Sequence, residues 1–294
     1  YKHVLSDYHQ FRLTYQASLK KGAFIFPKNL GTSIGIDETG LFHGDLYTII
    51  LNKNNGNGKN SLIGIIKGTK SKTVVKEVTD AIPFSELVGI RDVTIDFANN
   101  MAWISRQIVP NGRTIYDRFH LEQLMFEALQ SVRIQHRWEV LEEDDSEPTE
   151  RFSNGDTRRQ LLARSRYLLF KRRKDWTREQ AKRAVILFRE YPDIEDAYMT
   201  IMEFKEFFSM EKAEAEQGMK NWLEWVLDHP IPEFRILAKT VKKHLHGILN
   251  YFLDRKTNAL LENFNGRVKQ FLRQVRGSRD KDFFFFRLFK LYAW

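Results

Sequence analysis

Asp37, Asp96 and Asp117 each directly follow a short apolar run of the kind that forms a β-strand. A carboxylate at the carboxyl end of a strand points into the crevice where open α/β sheets bind ligands. Carboxylates held close together repel each other, and they all stay ionised only when a cation lies between them. Oxygen-rich sites of this kind suit Mg²⁺ or Mn²⁺. A single aspartate in such a position more often caps the next helix, but the set of three favours a metal site.

A helix predicted over residues 258–275 supplies a fourth candidate acid, Glu262. A helix face that carries one acid, then an amide and then cations can place a metal ligand beside groups that bind phosphate. The alternative is a surface helix with solvated charges, and the helix taken alone favours that alternative. The spacing of three and four residues predicts one polar stripe, formed by Glu262, Asn265, Lys269, Arg273 and Arg276.

The strands that must position the aspartates alternate with helices in the first part of the chain. The predicted order is β-β-β-α-β-α-β, an antiparallel start followed by βαβ crossovers. In this order the first and fourth strands are neighbours, so Asp37 and Asp96 face each other. A mixed sheet of this order is the ribonuclease H-like arrangement. The strands are predicted at residues 32–36, 45–51, 61–66, 91–95 and 113–116.

After residue 118 the pattern is almost entirely helical, and an acidic, turn-rich segment at residues 142–155 is the best linker candidate. A capping box at Thr177 opens one helix of this region. We predict an α/β protein with a large all-α insertion before the last catalytic helix. Its parts are an N-terminal helical extension (1–30), the first part of the core (31–140), the helical insertion (141–255) and a C-terminal helix that completes the core (256–294).

The positive charge of the chain is concentrated in its second half. The 294 residues carry a formal charge of +9, with 17 basic and 19 acidic side chains in residues 1–150 but 30 and 19 in residues 151–294. This asymmetry indicates an anionic partner such as nucleic acid, the alternative being a basic face that only aids solubility. Eight cations cluster in residues 158–174: Arg158, Arg159, Arg164, Arg166, Lys171, Arg172, Arg173 and Lys174.

Composition and hydropathy exclude several classes of protein. There is no cysteine, which excludes a disulfide scaffold, a zinc ribbon and a thiol nucleophile. No apolar run approaches the length of about 18 residues that a membrane span needs, so we expect a cytoplasmic protein without a membrane partner. The phenylalanine run at residues 283–286 predicts a buried helix end or a partner-docking face. Tyr8, Phe11 and Tyr15 are spaced along one helix face and are expected to pack on the core.

Taken together, three segments resemble the transposases of bacterial insertion sequences, most narrowly the ISL3 type, which is related to the Mutator-like group. They are IDETG at Asp37, VTIDFANNMAWISRQIVPNGRTIYDRFH across Asp96 and Asp117, and TNALLENFNGRVKQFLRQVRG at Glu262. The stretch WTREQAKRAVILFREYPDIEDAYMTIMEFKEFF resembles the helical insertion of that group. Each string is a weak signal alone, but their joint occurrence in order is a strong one, and the resemblance covers residue 30 to the end.

The resemblance implies a ribonuclease H-like catalytic domain of the DDE class, in which two Asp and one Glu bind two divalent ions, Mg²⁺ or Mn²⁺. We predict Asp37 as the first acid and Glu262 as the last. The second acid of the family follows the fourth strand, which selects Asp96. Asp117 and His120 belong to a signature typical of the group and are expected to support the ligands or position DNA, with Asp117 as the alternative second acid.

The function implied is cleavage of phosphodiester bonds at the ends of the element and joining of the freed 3′-hydroxyl to target DNA by two-metal in-line displacement. Double-stranded DNA is expected to be bound beside the metals by Asn265, Lys269, Arg273 and Arg276. The basic cluster at residues 158–174 is expected to extend this DNA-binding surface. A homodimer or higher oligomer acting at the bacterial nucleoid is expected. The alternatives are a metal-dependent nuclease without strand transfer, or a non-catalytic DNA-binding derivative.

Relatives usually carry an N-terminal zinc-binding and helix-turn-helix region that recognises the ends of the element. Only residues 1–30 precede the first predicted strand, and the chain has no cysteine to bind zinc. We therefore expect end recognition to be missing through truncation or to come from a separate protein.

Overall fold

The computed structural model describes residues 2–142, 150–255, 257–275 and 280–294. The fold divides into two compact units, of which the first comprises Tyr1–Phe119 and His246–Trp294 and the second comprises His120–Leu245. The first unit is therefore built from both ends of the chain. Within the described residues, no helix has the length and apolar character needed to cross a membrane.

A six-stranded mixed sheet forms the centre of the first unit. Its strands are β1 (Ala23–Ile25), β2 (Ser33–Leu41), β3 (Asp45–Asn52), β4 (Leu62–Lys67), β5 (Asp92–Ile95) and β6 (Arg113–Tyr116). The order across the sheet is β1-β4-β3-β2-β5-β6. The pairs β1–β4, β4–β3 and β3–β2 are antiparallel, whereas β2–β5 and β5–β6 are parallel. The predicted antiparallel start is confirmed, as is the pairing of the first and fourth predicted strands, here β2 and β5.

Two details of the sheet differ from the prediction. Residues 1–30 were expected to be helical, yet Ala23–Ile25 forms a strand on β4. A run of three residues is too short for a period of two to be recognised, and its pairing depends on tertiary contacts. Asp37 lies in the middle of β2 rather than after it, because the ladder with β3 continues until Leu41 pairs with Asp45.

Fourteen α-helices are formed by the described residues. In chain order they are α1 (Lys2–Thr14), α2 (Gln16–Lys21), α3 (Ser71–Ala81), α4 (Phe84–Leu87), α5 (Asn99–Ile108), α6 (Arg118–Glu142), α7 (Arg158–Arg164), α8 (Arg178–Glu190), α9 (Pro192–Phe207), α10 (Lys212–Val226), α11 (Pro232–Leu249), α12 (Tyr251–Asp254), α13 (Ala259–Gln274) and α14 (Lys281–Tyr292).

Helix starts follow the capping signals of the sequence. The Thr177 side chain accepts the backbone N–H of Gln180, whose own side chain accepts the backbone N–H of Thr177, and this confirms the predicted capping box at α8. Thr157 and Gln160 form a second capping box at α7.

Aromatic side chains dominate the core of the first unit. The phenylalanines at positions 284 to 286 on α14 are buried, which selects the buried helix end from the two predicted alternatives. The rings of Phe24 and Phe285 lie 5.1 Å apart. Phe11 on α1 is also buried, 5.6 Å from the ring of Phe286. The predicted packing of the N-terminal aromatic face on the core is thus confirmed at Phe11.

The second unit has its own core and, in its described residues, contains helices and no strand. Trp222 is fully buried, and its Nε1 donates a hydrogen bond of 3.0 Å to the carbonyl of Thr200. Asp156 is also fully buried and accepts hydrogen bonds from Arg164 and, at 2.7 Å, from Arg183. The buried carboxylate therefore ties the start of α7 to α8.

Candidate active site

Asp37 is a buried carboxylate in the middle of β2, and both of its oxygens accept hydrogen bonds. Oδ1 accepts the backbone N–H of Glu38 at 2.8 Å. Oδ2 accepts Nδ2–H of Asn265, on α13, at 2.8 Å. Because the two donors come from different parts of the chain, they fix the rotation of the carboxylate group of Asp37.

The register of β2 and β5 brings Asp37 and Asp96 to the same level of the sheet. The two parallel strands pair with Ser33 opposite Asp92. The last residues paired are Gly35 and Thr94, and the same register continued by two residues would bring Asp37 level with Asp96. The predicted first acid therefore lies in β2, and the predicted second acid directly follows the neighbouring strand β5.

The third aspartate lies at that level too. β5 and β6 pair as far as Ile95 opposite Tyr116, so the residues that follow, Asp96 and Asp117, are also level. Asp96 is half-buried, and its Oδ1 accepts the backbone N–H of Ala98 at 2.9 Å. This is the turn-capping bond of an aspartate before a helix, and it leads the chain into α5.

Asp117 holds the beginning of the helix that carries Glu262. It is 1% exposed, and its Oδ1 accepts the backbone N–H of Asn258 at 3.0 Å. Asn258 directly precedes α13 and is itself completely buried. The end of β6 and the start of α13 are therefore joined by a hydrogen bond that spans 141 residues of sequence.

Asp117, His120 and Glu262 form a group, among the described residues, in which one potential ligand atom of each lies within 4.8 Å of the other two. His120 follows Asp117 by three residues, in the first turn of α6. Glu262 is exposed in the first turn of α13. Carboxylates suit Mg²⁺ and Mn²⁺, and imidazole suits softer transition metals. The convergence of Asp37, Asp96 and Glu262 stays a prediction.

Glu38 is an acidic residue beside the site that sequence reasoning did not select. Successive side chains of a strand point to opposite faces, so Glu38 lies on the other face of β2 from Asp37. Its Oε1 accepts Nδ2–H of Asn100 at 2.8 Å. Burial raises the pKa of Glu38, the negative charge of Asp96 adds to this effect, and the bond from Asn100 opposes it. Glu38 is brought into the site by its proximity to Asp96, and this proximity is visible only in the folded structure.

Lys53 was likewise missed, because in the sequence it is only one residue of the polar segment between the strands predicted at residues 45–51 and 61–66. Its Nζ donates to Oγ1 of Thr94 on β5 at 2.6 Å and to the carbonyl of Thr257 at 2.8 Å. Thr257 lies immediately before Asn258. The lysine therefore holds the segment leading into α13 against β5, the strand that Asp96 directly follows.

The polar stripe predicted for α13 is wrong at one position. Glu262, Lys269 and Arg273 are exposed, as predicted. Asn265 is buried instead, on the face that also carries Leu261. Its amide binds Asp37, so it is not presented to solvent with the cations. Arg276 lies outside the described residues.

The basic cluster of the second unit is mostly exposed, but several of its members form ion pairs. Arg164 pairs with the buried Asp156, and Arg173 pairs with Glu195 at 2.8 Å. An arginine bound to a buried carboxylate has a structural role that sequence reasoning did not foresee. The side chains of the cluster that are exposed are Arg158, Arg164, Arg166, Lys171, Arg172, Arg173 and Lys174, whereas Arg159 is half-buried.

Comparison with known proteins gives a consistent result. The family model of the ISL3-type DDE transposases, described as "Transposase", matches residues 34–288. The transposase for insertion sequence element IS1001 of Bordetella parapertussis is 23% identical over 74% of this chain and 52% of its own length. The transposase for IS1557 of Mycobacterium tuberculosis is 24% identical over 84% of this chain and 57% of its own length. The chain thus spans about half the length of these curated relatives. No solved structure gives a significant match.

Proposed function

The chain belongs to the ISL3-type family of DDE transposases, and on this premise we propose that it cleaves DNA at the ends of an insertion sequence and joins the 3′-hydroxyl to target DNA. The observation that carries the proposal is the double tether of α13. One end of this helix is bound to Asp117 through Asn258, and its middle is bound to Asp37 through Asn265.

The proposal is that the remaining acids, Asp96 and Glu262, lie between the two tethers. β5, which is directly followed by Asp96, lies between β2 and β6 in the sheet. Glu262 lies between Asn258 and Asn265 on α13. In this proposal the helix brings Glu262 toward the level of the sheet at which the three aspartates lie. Carboxylates gathered there would repel each other unless cations bind between them.

The proposed ligands of two Mg²⁺ or Mn²⁺ ions are Asp37, Asp96 and Glu262. Asp117 and His120 are the alternative, supported by the 4.8 Å group that they form with Glu262. The donor set fits such ions because it is rich in carboxylate oxygen. Bound divalent ions would stabilise negative charge at the phosphate under attack and activate its nucleophile. The protein's own part is to hold the carboxylates in place, through the hydrogen bonds of Asn265, Asn258 and Lys53.

We also propose that the catalytic unit is ribonuclease H-like. The support is the strand order β4-β3-β2-β5-β6. In it the pairs β4–β3 and β3–β2 are antiparallel, whereas the pairs β2–β5 and β5–β6 are parallel. β1 is an addition at the edge of that arrangement.

Contacts to DNA are proposed at two places. Lys269 and Arg273 are exposed on α13, C-terminal to Glu262 on the same helix. The exposed members of the basic cluster of the second unit would extend the contact to the DNA backbone, because lysine and arginine neutralise phosphates. A homodimer or larger assembly, and a separate protein for end recognition, are part of the same proposal.

The test is an assay of strand joining with duplexes made from the DNA that flanks the gene and a supercoiled plasmid as target. We expect joining that requires Mg²⁺ or Mn²⁺ and falls at least 100-fold, or about 2.7 kcal/mol of transition-state stabilisation, in Asp37→Asn, Asp96→Asn and Glu262→Gln. Asp80→Asn, at an exposed residue paired with Lys76, is the control. Retained joining in Asp96→Asn, with loss in Asp117→Asn, would assign the second acid to Asp117.

The two alternative functions give different results in the same assay. Metal-dependent nicking without joined product would indicate a nuclease. DNA binding without either product, unchanged by the substitutions of the acids, would indicate a non-catalytic derivative.

A further inference from the structure

Asn265 is a polar side chain on the apolar face of α13. It is 7% exposed, and Leu261, Phe264 and Val268, which share that face, are completely buried. Burying an amide in apolar surroundings is unfavourable unless each polar atom finds a partner. An apolar residue of similar size would suit this position better if packing were its only role.

The amide is only half satisfied. Its Nδ2 donates to Oδ2 of Asp37 at 2.8 Å. Its Oδ1 is buried and has no hydrogen-bond partner within the described part of the chain. Turning the amide over would bring Oδ1 against the carboxylate, so the interaction with Asp37 sets its orientation. The residue thus stabilises the position of a carboxylate while its own oxygen stays unpaired.

We propose that Asn265 is a positioning residue that fixes the carboxylate of Asp37 for metal binding. This inference rests on the proposed function, since it takes Asp37 as a metal ligand. Carboxylates that bind metals are commonly held by hydrogen bonds from neighbouring groups, and losing such a partner costs about 10–100-fold in metal affinity. Each carboxylate oxygen offers two lone pairs, so an oxygen that accepts one N–H can still bind a cation.

The experiment measures Mn²⁺ binding to the full chain by electron paramagnetic resonance, together with thermal unfolding without metal. Asn265→Leu removes the donor but keeps the volume of the side chain. We expect it to weaken Mn²⁺ binding about 10–100-fold while the melting temperature stays equal or rises. Asn263→Leu, at an exposed position of the same helix, should leave the affinity unchanged.

The pairing with Asp37 is tested by combining substitutions. In an Asp37→Asn background, Asn265→Leu should cause no further loss of Mn²⁺ affinity, because the carboxylate it positions is already absent. Should Asn265→Leu fail to fold, Asn265→Ala, which cannot overfill the site, is measured in its place. A lower melting temperature with unchanged Mn²⁺ affinity would overturn the inference and leave Asn265 a structural residue.

The outcomes also separate this inference from the proposed function. A wild-type chain that binds no Mn²⁺ and joins no DNA contradicts the proposed function. A wild-type chain that binds Mn²⁺, loses affinity in Asp37→Asn and keeps it in Asn265→Leu contradicts only the role of Asn265.

Discussion

Gly35 on β2 lies so close to Leu261 on α13 that a Cβ added at position 35 would come within 2.2 Å of the Leu261 Cδ1. Gly35 is two residues before Asp37, and Leu261 is directly followed by Glu262. The absence of a side chain at position 35 therefore leaves room for the side chain of Leu261, at the point where the helix with the glutamate packs on the strand with the first aspartate.

Replacement of Gly35 by alanine should push α13 away from β2. We expect a loss of stability of about 1–3 kcal/mol, as for an overpacked core, and a larger loss of metal-dependent strand joining. Gly40→Ala is the matched control on the same strand, because a Cβ there meets nothing within 4 Å. Melting temperature and joining rate, measured for both variants, test this. Equal behaviour of the two would show that the close approach is unimportant.

Lys53→Met should loosen the segment before α13, because the ammonium group holds the carbonyl of Thr257 and the hydroxyl of Thr94. We expect about 1.5–3 kcal/mol of destabilisation, the usual value of hydrogen bonds to a charged group. Hydrogen exchange of the amides at the start of α13 should accelerate. Lys59→Met, in the same hairpin and exposed, is the control. Unchanged exchange in Lys53→Met would show that other contacts hold the helix.

The stability of the second unit should depend on pH through Asp156. Burial alone would raise the pKa of this carboxyl, but hydrogen bonds from Arg183 and Arg164 outweigh burial and lower the pKa below its ordinary value. The stabilisation is therefore complete above the pKa of an unfolded aspartate and is lost as the pH falls through the lowered value.

Asp156→Asn should consequently cost about 1.5–3 kcal/mol at neutral pH and flatten the fall of the melting temperature below about pH 5. Asp80→Asn, which removes an exposed ion pair with Lys76, should change neither the stability at neutral pH nor the fall of the melting temperature with acid. Calorimetry between pH 3 and pH 7 measures both effects, and a parallel fall in wild type and Asp156→Asn would contradict the role given to Asp156.

Binding of DNA should weaken with salt in proportion to the phosphates that are neutralised. Lys174 is an exposed member of the basic cluster. Lys174→Gln should lower the slope of log K against log salt by about 1 for one lost phosphate contact. Lys239→Gln, at another exposed lysine of the second unit outside the cluster, is the comparison. Fluorescence anisotropy with a labelled duplex at several salt concentrations measures the slope for each variant. Identical slopes for the wild type and Lys174→Gln would show that Lys174 does not contact DNA.

Local patterns were sufficient for the part of the fold that surrounds the acids. β5 and β6 are short apolar runs followed by aspartates, and both begin and end within a residue of the prediction. The same patterns could not place Asn265, because a polar residue that is spaced between Glu262 and Lys269 is typical of a solvated stripe. Its burial follows from the approach of α13 to β2, which no local spacing encodes.

Ion pairing was also hidden from the sequence. Arg164 was predicted to contact DNA because it stands in a run of cations without acids. Its partner Asp156 lies outside that run and is held in place by Arg183, on another helix. A charge count records the excess of cations, but only the fold shows which of them already have a carboxylate.

The division of the first unit between the two ends of the chain has a consequence for protein synthesis. A ribosome that has made residues up to Leu245 has released all three aspartates and the whole sheet, but neither Glu262 nor the helix that tethers Asp37. A product that stops early also lacks Leu261, Phe264 and Val268, which cover the sheet. A product that stops before α13 therefore has an incomplete core and lacks Glu262, so the full set of carboxylates is assembled only after the ribosome has passed the second unit and reached α13.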